Sequence, residues 1–318
     1  MLTAICTLFE GNYHYGVGVL FNSLYNHGFR GVVWVGYRGA LPPWAKSLKD
    51  AQGYQEFSVA SDCVIRFIKL NTSKFFSNYK PDFMLQLWEN YCPEVEALFY
   101  FDPDIVNKRP WDFYVEWVNH GISLCEDAYD YMPANHPYRL MWKELAERYG
   151  FLTQRELDRY YNSGFIGVKQ NQKSVLSLWQ KLLETFEEAG YISLSDFCLA
   201  LNRYPYFQSD QCVLNLGLTL TCEPLSTVSR MGMDFGGSVN IMSHASGGEI
   251  KPWRKQLILR ALNDEAPTLT DKAYWQHTQT PIQLYSRWAK PRQGRSQYLR
   301  KKIALRSAAA IGRFIRRS

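Results

Sequence analysis

The sequence predicts an α/β fold, a parallel central sheet flanked by helices, on three observations. Residues 3 to 35 read as strand, helix, strand. An apolar run over 95 to 101 ends abruptly at an acid, Asp102. A third apolar run, opening at Asn162, is followed by a stretch of helical periodicity over 171 to 189. Alternation of strand and helix at this spacing implies right-handed crossovers and parallel pairing.

Taken in order, Thr3 to Phe9 is a short apolar run with β-branched residues, followed by the turn Gly11-Asn12-Tyr13. Val17 to Tyr25 carries apolar residues at helical spacing, and Val32 to Val35 is a second buried-strand candidate. Val95 to Phe101 is the strand that leads to Asp102, and Phe165 to Val168 forms another after the polar turn Asn162-Ser163-Gly164. Val175, Leu178, Leu182 and Phe186 fall at three- and four-residue steps and predict a helix. Asp210 and Gln211 head the apolar run of Cys212 to Leu214. The segment from Thr219 to Asn240 mixes short apolar and turn-forming pieces, and Ser243 to Gly248 is a glycine-bearing loop. Residues 263 to 292, rich in Pro, Thr and Gln, are the linker candidate. They divide a domain over 1–262 from a C-terminal helical extension over 263–318. No internal repeat or long low-complexity segment interrupts this plan.

With 46% apolar residues in 318, the chain can bury a sizeable core, which excludes wholesale disorder. The 15% aromatic share suits stacking on sugars and bases, and suits a thick core equally. Seven cysteines without a CxxC pair indicate neither a zinc ribbon nor a disulfide framework, so a reducing compartment is expected. The start of the chain has no basic n-region and no apolar stretch reaches the ~20 residues that span a bilayer, so a cytoplasmic location is expected. The net charge of +6 resides at one end. From residue 290 onward there are ten Lys/Arg and no acid, leaving 26 basic against 30 acidic residues elsewhere. Over 298 to 317, Leu299, Ile303, Ile311, Phe314 and Ile315 fall within about half of a helical wheel. Such a basic amphipathic helix suits the anionic inner face of a membrane; a disordered, solvated tail and a helix docked on the domain's acidic face are the alternatives. No recognition motif supports nucleic-acid binding.

The chemistry centres on Asp102-Pro103-Asp104. Two carboxylates one residue apart past a buried strand cannot both be hidden without compensation, and a divalent cation with hard oxygen ligands, Mn²⁺ or Mg²⁺, would satisfy both. Alone, this motif is as readily an ordinary acidic turn. It does not stand alone: Asn162-Ser163-Gly164, Asp210-Gln211 with Leu214-Asn215, and His244 followed by Lys251-Pro252-Trp253 occur in order after it.

Together with Thr7-Leu8, Asn12-Tyr13 and Gly16 to Leu24, these segments resemble the retaining glycosyltransferases of family 8, a group that includes glycogenin and bacterial lipopolysaccharide galactosyltransferases. The resemblance spans roughly residues 3 to 255 and implies a GT-A fold, with a Rossmann-like, mixed and mostly parallel central sheet flanked by helices. It implies a metal held by Asp102, Asp104 and His244, and a nucleotide-diphospho-sugar donor, a UDP-sugar, bound by Thr7, Leu8, Asn12, Tyr13, Lys80, Asp102, Asn162, Ser163 and Lys251. The histidine loop is one residue longer than the family pattern, so either Gly247 or Gly248 holds the family glycine's place. The resemblance also implies transfer of a hexose to a glycan or lipid-linked saccharide with retention, Asp210 and Gln211 being the catalytic candidates. Retention could follow double displacement through an acidic nucleophile, or attack from the leaving group's own face. Metal and Lys251 would meet the charge that develops on the departing diphosphate.

Two other functions fit the fold class. A sugar nucleotidyltransferase would need a basic glycine-rich loop after the first strand, where this chain has Phe9-Glu10-Gly11-Asn12-Tyr13 with no Lys or Arg. A non-catalytic carbohydrate-binding protein on a transferase-like fold is the alternative reading, and the presence of Asp102, Asp104, His244 and Lys251 together argues against a decayed site.

Overall fold

The computed structural model describes residues 1–196, 207, 209–237, 239–246, 250–263, 265–285 and 297–315. The chain starts with β1 (Thr3–Glu10), whose residues Ala4 to Phe9 are all buried, as a central strand covered on both faces must be. It continues through α1 (His14–Asn26), β2 (Gly31–Arg38), β3 (Lys49–Ala51), β4 (Tyr54–Ala60), β5 (Cys63–Lys69) and α2 (Lys80–Asn90). Next come β6 (Ala97–Phe101), β7 (Ile105–Asn107), α3 (Trp111–Asn119), β8 (Ile122–Tyr131), α4 (Pro137–Arg148) and β9 (Arg159–Lys169). The remainder comprises α5 (Ser174–Glu188), α6 (Asp210–Thr219), β10 (Leu225–Val228), β11 (Met242–His244), α7 (Leu257–Leu262), α8 (Leu269–Gln276) and α9 (Gln297–Ile315).

Among the described residues, nine strands form one sheet in the order β10-β8-β9-β6-β1-β2-β5-β4-β3. The pairs β10–β8, β6–β1, β1–β2 and β2–β5 are parallel, and the other four are antiparallel. Only β4 and β9 therefore run against the rest, so the sheet is mixed and mostly parallel in strand direction, as expected. Alternate residues of β1 serve opposite faces. Ala4, Cys6 and Leu8 join a core under α2, α4, α5 and α6, while Ile5 and Phe9 join another under α1 and α3. The chain moves from β1 outward to β2 and β5, then returns across β1 to β6. That reversal creates a switch point between β1 and β6, where a crevice opens at the strands' carboxyl ends.

The expected linker over 263–292 is different in its described part. Residues 265–285 include α8, which is closed by a capping box between Thr268 and Asp271. They dock on α1: Asn22 donates to the carbonyls of His277 (2.7 Å) and Ile282 (2.8 Å) and accepts from the Ile282 amide (2.8 Å). Tyr274, Trp275 and Tyr285 are buried with Val19 of α1 and Leu257 and Ala261 of α7. The basic tail forms α9, which packs on α7 with Ala308 buried and Leu305 and Ile311 half-buried. Part of its apolar stripe thus faces the protein, while Ile303 is exposed. No described helix is long and apolar enough to cross a membrane. Five of the cysteines, Cys6, Cys63, Cys92, Cys125 and Cys212, are buried as free thiols; Cys222 is exposed, and Cys198 lies outside the described residues.

Candidate active site

β6 is buried along its whole length and delivers Asp102 to the switch point. The turn that follows is tightly held. Asp102 N donates to Gly164 O of β9 (2.7 Å), and Ile105 N donates back to Asp102 O (3.0 Å). From below, α1 presses Gly16 against Pro103 so closely that a Cβ there would lie 2.0 Å from the proline carbonyl oxygen. β7 leaves the turn and pairs with β11, setting Ile105 opposite His244, while Ala245 N donates to Asp104 O (3.2 Å). Asp234, whose side chain is 2% exposed, holds Ser243 of β11 and Lys108, the residue after β7, and so ties the two strands together next to His244. Two residues 140 apart in sequence thereby meet. His244 Nε2 is 3.2 Å from Asp104 Oδ1 and 3.6 Å from Asp102 Oδ2.

Two cations flank the carboxylates. Lys251 Nζ is 2.7 Å from Asp104 Oδ2 and also donates to Ala245 O. Residues 251–254 form a turn, closed by Arg254 N donating to Lys251 O (2.8 Å), and α7 starts only at Leu257. Lys80, at the start of α2, is only 3% exposed; its ammonium lies 3.5 Å from Asp102 Oδ1 and 3.2 Å from Asp210 Oδ2. It donates to the carbonyl (3.0 Å) and hydroxyl (3.1 Å) of Ser163. Tyr100 OH donates to Asp102 Oδ1 (2.9 Å).

Burial alone would raise the Asp104 pKa, but the adjacent His244 and Lys251 outweigh it and hold the carboxyl well below the usual carboxylate range. Burial likewise opposes the charge on Lys80, and Asp102 and Asp210 overcome it, so this ammonium is held above its ordinary pKa. Asp210 is the opposite case. Burial dominates and pushes it up, with Lys80 pulling against that.

Across the crevice, Asn162 Oδ1 accepts from Gly164 N (2.8 Å), and its amide donates to Asp127 Oδ2 (2.6 Å). Gln211 Oε1 accepts the amide hydrogen of Ser163 (3.0 Å), which joins the start of α6 to β9.

These residues line one cleft of about 920 Å³, within the range of small-molecule sites. Leu8, Tyr13, Lys80, Asp102, Asp104, Asn162, Ser163, Asp210, Gln211, His244 and Lys251 all line it. Thr7 does not. It is wholly buried, because β1 runs to Glu10 and opens on the cleft only from Leu8 onward. Asn12 is also outside the cleft lining and accepts from Arg254 (2.8 Å). Gly247 and Gly248 lie outside the described residues.

Sequence reasoning missed Asp127, which sits in β8 beside Glu126 in a strand with no clean apolar run. It also missed the aromatic wall of Tyr129, His136, Tyr138, Trp142 and Tyr160. A further acid near the strand end was the available signal for Asp127; nothing in the spacing marked the wall.

The donor set fits a divalent cation. One carboxylate oxygen from each aspartate and one imidazole nitrogen lie within 4.8 Å of one another. Ligand distances of about 2.1 Å put neighbouring donors of an octahedral ion about 3 Å apart, close to the 3.2 and 3.6 Å between His244 and the two carboxylates. The two carboxylates suit Mn²⁺ or Mg²⁺, and the imidazole beside them suits a first-row transition metal better than Mg²⁺. Comparison of the sequence with protein-family profiles and with curated proteins returns no match.

Proposed function

We propose that the chain is a retaining hexosyltransferase of the GT-A type, using a nucleotide-diphospho-sugar, a UDP-sugar, and Mn²⁺ or Mg²⁺. The observation that carries this reading is the convergence of Asp102, Asp104 and His244 with Lys251 at the switch point of a mostly parallel sheet. The family 8 resemblance of the same residues supports it.

In this reading Asp102, Asp104 and His244 hold the cation, which supplies Lewis-acid stabilisation to the departing diphosphate. Lys251 leaves its contact with Asp104 for the diphosphate, where a compact positive charge meets the negative charge of bond breaking. Leu8 and Tyr13 border the nucleoside. Lys80, 3% exposed at the cleft wall with its ammonium held by Asp102, Asp210 and Ser163, acts by fixing Asp102 and Asp210 relative to each other. Asp210, 4% exposed and facing Lys80, is poorly placed to swing onto a sugar as a nucleophile. That favours attack from the leaving group's own face: the acceptor oxygen bonds to the anomeric carbon, the bond to the diphosphate breaks, and the acceptor proton passes to a diphosphate oxygen. Gln211 and Asn162 border the reacting sugar.

Thermal unfolding against a panel of nucleotide sugars, with and without Mn²⁺, tests the reading. A donor at 100 times its dissociation constant stabilises the native state by about 2.7 kcal/mol. A metal-dependent shift with one donor, lost in Asp104→Ala, is expected. No shift with any donor would overturn the reading.

The acceptor is a saccharide or glycolipid, and the protein rests at the inner face of an anionic membrane. Exposed Ile258, Leu259 and Leu262 on α7 and Lys302, Ile303 and Arg306 on α9 combine apolar and basic character in two packed helices. Flotation on anionic liposomes, retained without residues 290–318, would remove the tail from that role.

A further inference from the structure

The half of the cleft away from Asp102 and Asp104 has a different chemistry. It is walled by aromatic rings carried on β8, α4 and β9. Tyr129 and His136 are 6.2 Å apart and nearly perpendicular, and His136 and Tyr138 are 5.6 Å apart. Tyr138 stacks at 6.2 Å on Trp142, which stands 6.3 Å from Tyr160. Trp142 and Tyr160 are buried behind the wall, His136 and Tyr138 are half-buried, and Tyr129 is 55% exposed although it lines a cleft.

Hydrogen bonds orient the front of this wall. His136 caps α4, its Nδ1 accepting the amide hydrogen of Tyr138 (3.2 Å). The neutral imidazole must then carry its proton on Nε2, which lies 3.2 Å from Tyr129 OH. The phenol oxygen accepts the hydrogen bond from Nε2–H, and its own hydrogen is directed elsewhere. Asp127 adjoins the ring, accepting the Tyr129 amide on Oδ1 (3.1 Å) and the Asn162 amide on Oδ2 (2.6 Å). Asp127 thus links the aromatic half to the half that holds Asn162.

A flat apolar ring edged by a hydroxyl, an imidazole and a carboxylate matches a sugar, which has an apolar C–H face and a rim of hydroxyls. Among the described residues that line this half, Asp127 carries the charge, and it would repel an acidic sugar. Building on the transferase reading, we infer that Tyr129, His136 and Tyr138 form the acceptor subsite, and that it takes the terminal neutral hexose of a saccharide.

The test pairs two measurements on the full chain. One is binding to an array of oligosaccharides ending in neutral hexoses or in acidic sugars. The other is the Mn²⁺-dependent melting shift with nucleotide sugars. Wild-type protein is expected to retain neutral-ended glycans. Tyr129→Ala and Tyr138→Ala are expected to weaken that binding at least tenfold, with Tyr129→Trp restoring most of it and the nucleotide-sugar shift unchanged in all three. Tyr129 is exposed, so its loss leaves the fold intact. The subsite is overturned if wild-type protein binds no neutral-ended glycan, if Tyr129→Ala binds as wild type does, or if the loss falls on the nucleotide sugar instead. Glycan binding through Tyr129 without any nucleotide-sugar shift would sustain the subsite while overturning the transferase reading.

Discussion

Gly164 and His244 approach so closely that a Cβ on Gly164 would stand 2.5 Å from Cε1 of the imidazole; it would also stand 2.7 Å from Asp102 Oδ2. The candidate metal ligands therefore rest on bare backbone. Gly164→Ala must push His244 or Asp102 aside, and overpacking of this kind costs about 1–3 kcal/mol. We expect Mn²⁺ affinity, measured by calorimetry, to fall at least tenfold, with a smaller loss of thermal stability. Unchanged affinity would mean that these side chains do not hold the ion.

Lys80 joins two halves of the site by facing Asp102 and Asp210 at once. Lys80→Met keeps the length and removes the charge, leaving Asp210 buried without its cation. Breaking a buried pair from one side costs about 3–5 kcal/mol, because the surviving charge is uncompensated. The double variant Lys80→Met/Asp210→Asn should regain more than half of that loss in urea unfolding. Additive losses would show that the pair is not coupled.

The fold was legible where periodicity was strong. β1, α1, β2, β6, β9 and α5 all appear where apolar runs or helical spacing put them. β8 escaped because Glu126 and Asp127 interrupt its pattern; Asp127 lines the cleft, while Glu126 faces Arg159 at 3.7 Å. The docking of 265–285 escaped for another reason. Its composition suggests a linker, and its attachment depends on Asn22, some 255 residues away in sequence, whose amide matches a backbone segment no local pattern reveals. Within the site, residue types and order were enough to collect Asp102, Asp104, His244 and Lys251. Thr7 lies one residue short of the point where β1 emerges at the crevice, since Leu8, Phe9 and Glu10 all line it, so depth along the strand decides which residues reach it.

Gln211 offers a test of the transfer chemistry separate from binding. Its carbonyl oxygen accepts the Ser163 amide hydrogen (3.0 Å), which fixes the side chain at the cleft wall. Gln211→Ala and Asp210→Ala are each expected to lower kcat at least tenfold while nucleotide affinity stays within a factor of about three, a split that marks loss of interactions made in the transition state. A silent Gln211→Ala would remove that residue from catalysis.

His277 makes the docking of the extension sensitive to pH. Its Nδ1 lies 3.1 Å from the Asn26 amide, which can donate only to an unprotonated nitrogen. Burial, and then the charge of nearby His27, lowers its pKa from 6.5 to about 4. The unfolded chain thus takes up this proton first as pH falls, so stability rises with pH across the interval between the two values. The contribution is complete above about pH 6.5 and is lost as pH falls toward 4. Allowing for the ring's partial exposure, it amounts to roughly 2 kcal/mol. His277→Asn cannot take up the proton. Although it lowers stability at neutral pH by removing the ring, its stability curve between pH 6.5 and 4 should be flatter than that of the wild type. The carboxylates contribute to both curves, so the difference between them isolates the histidine. Parallel curves would mean that His277 ionises alike in the folded and unfolded chain, and that the contact with Asn26 does not depend on its charge.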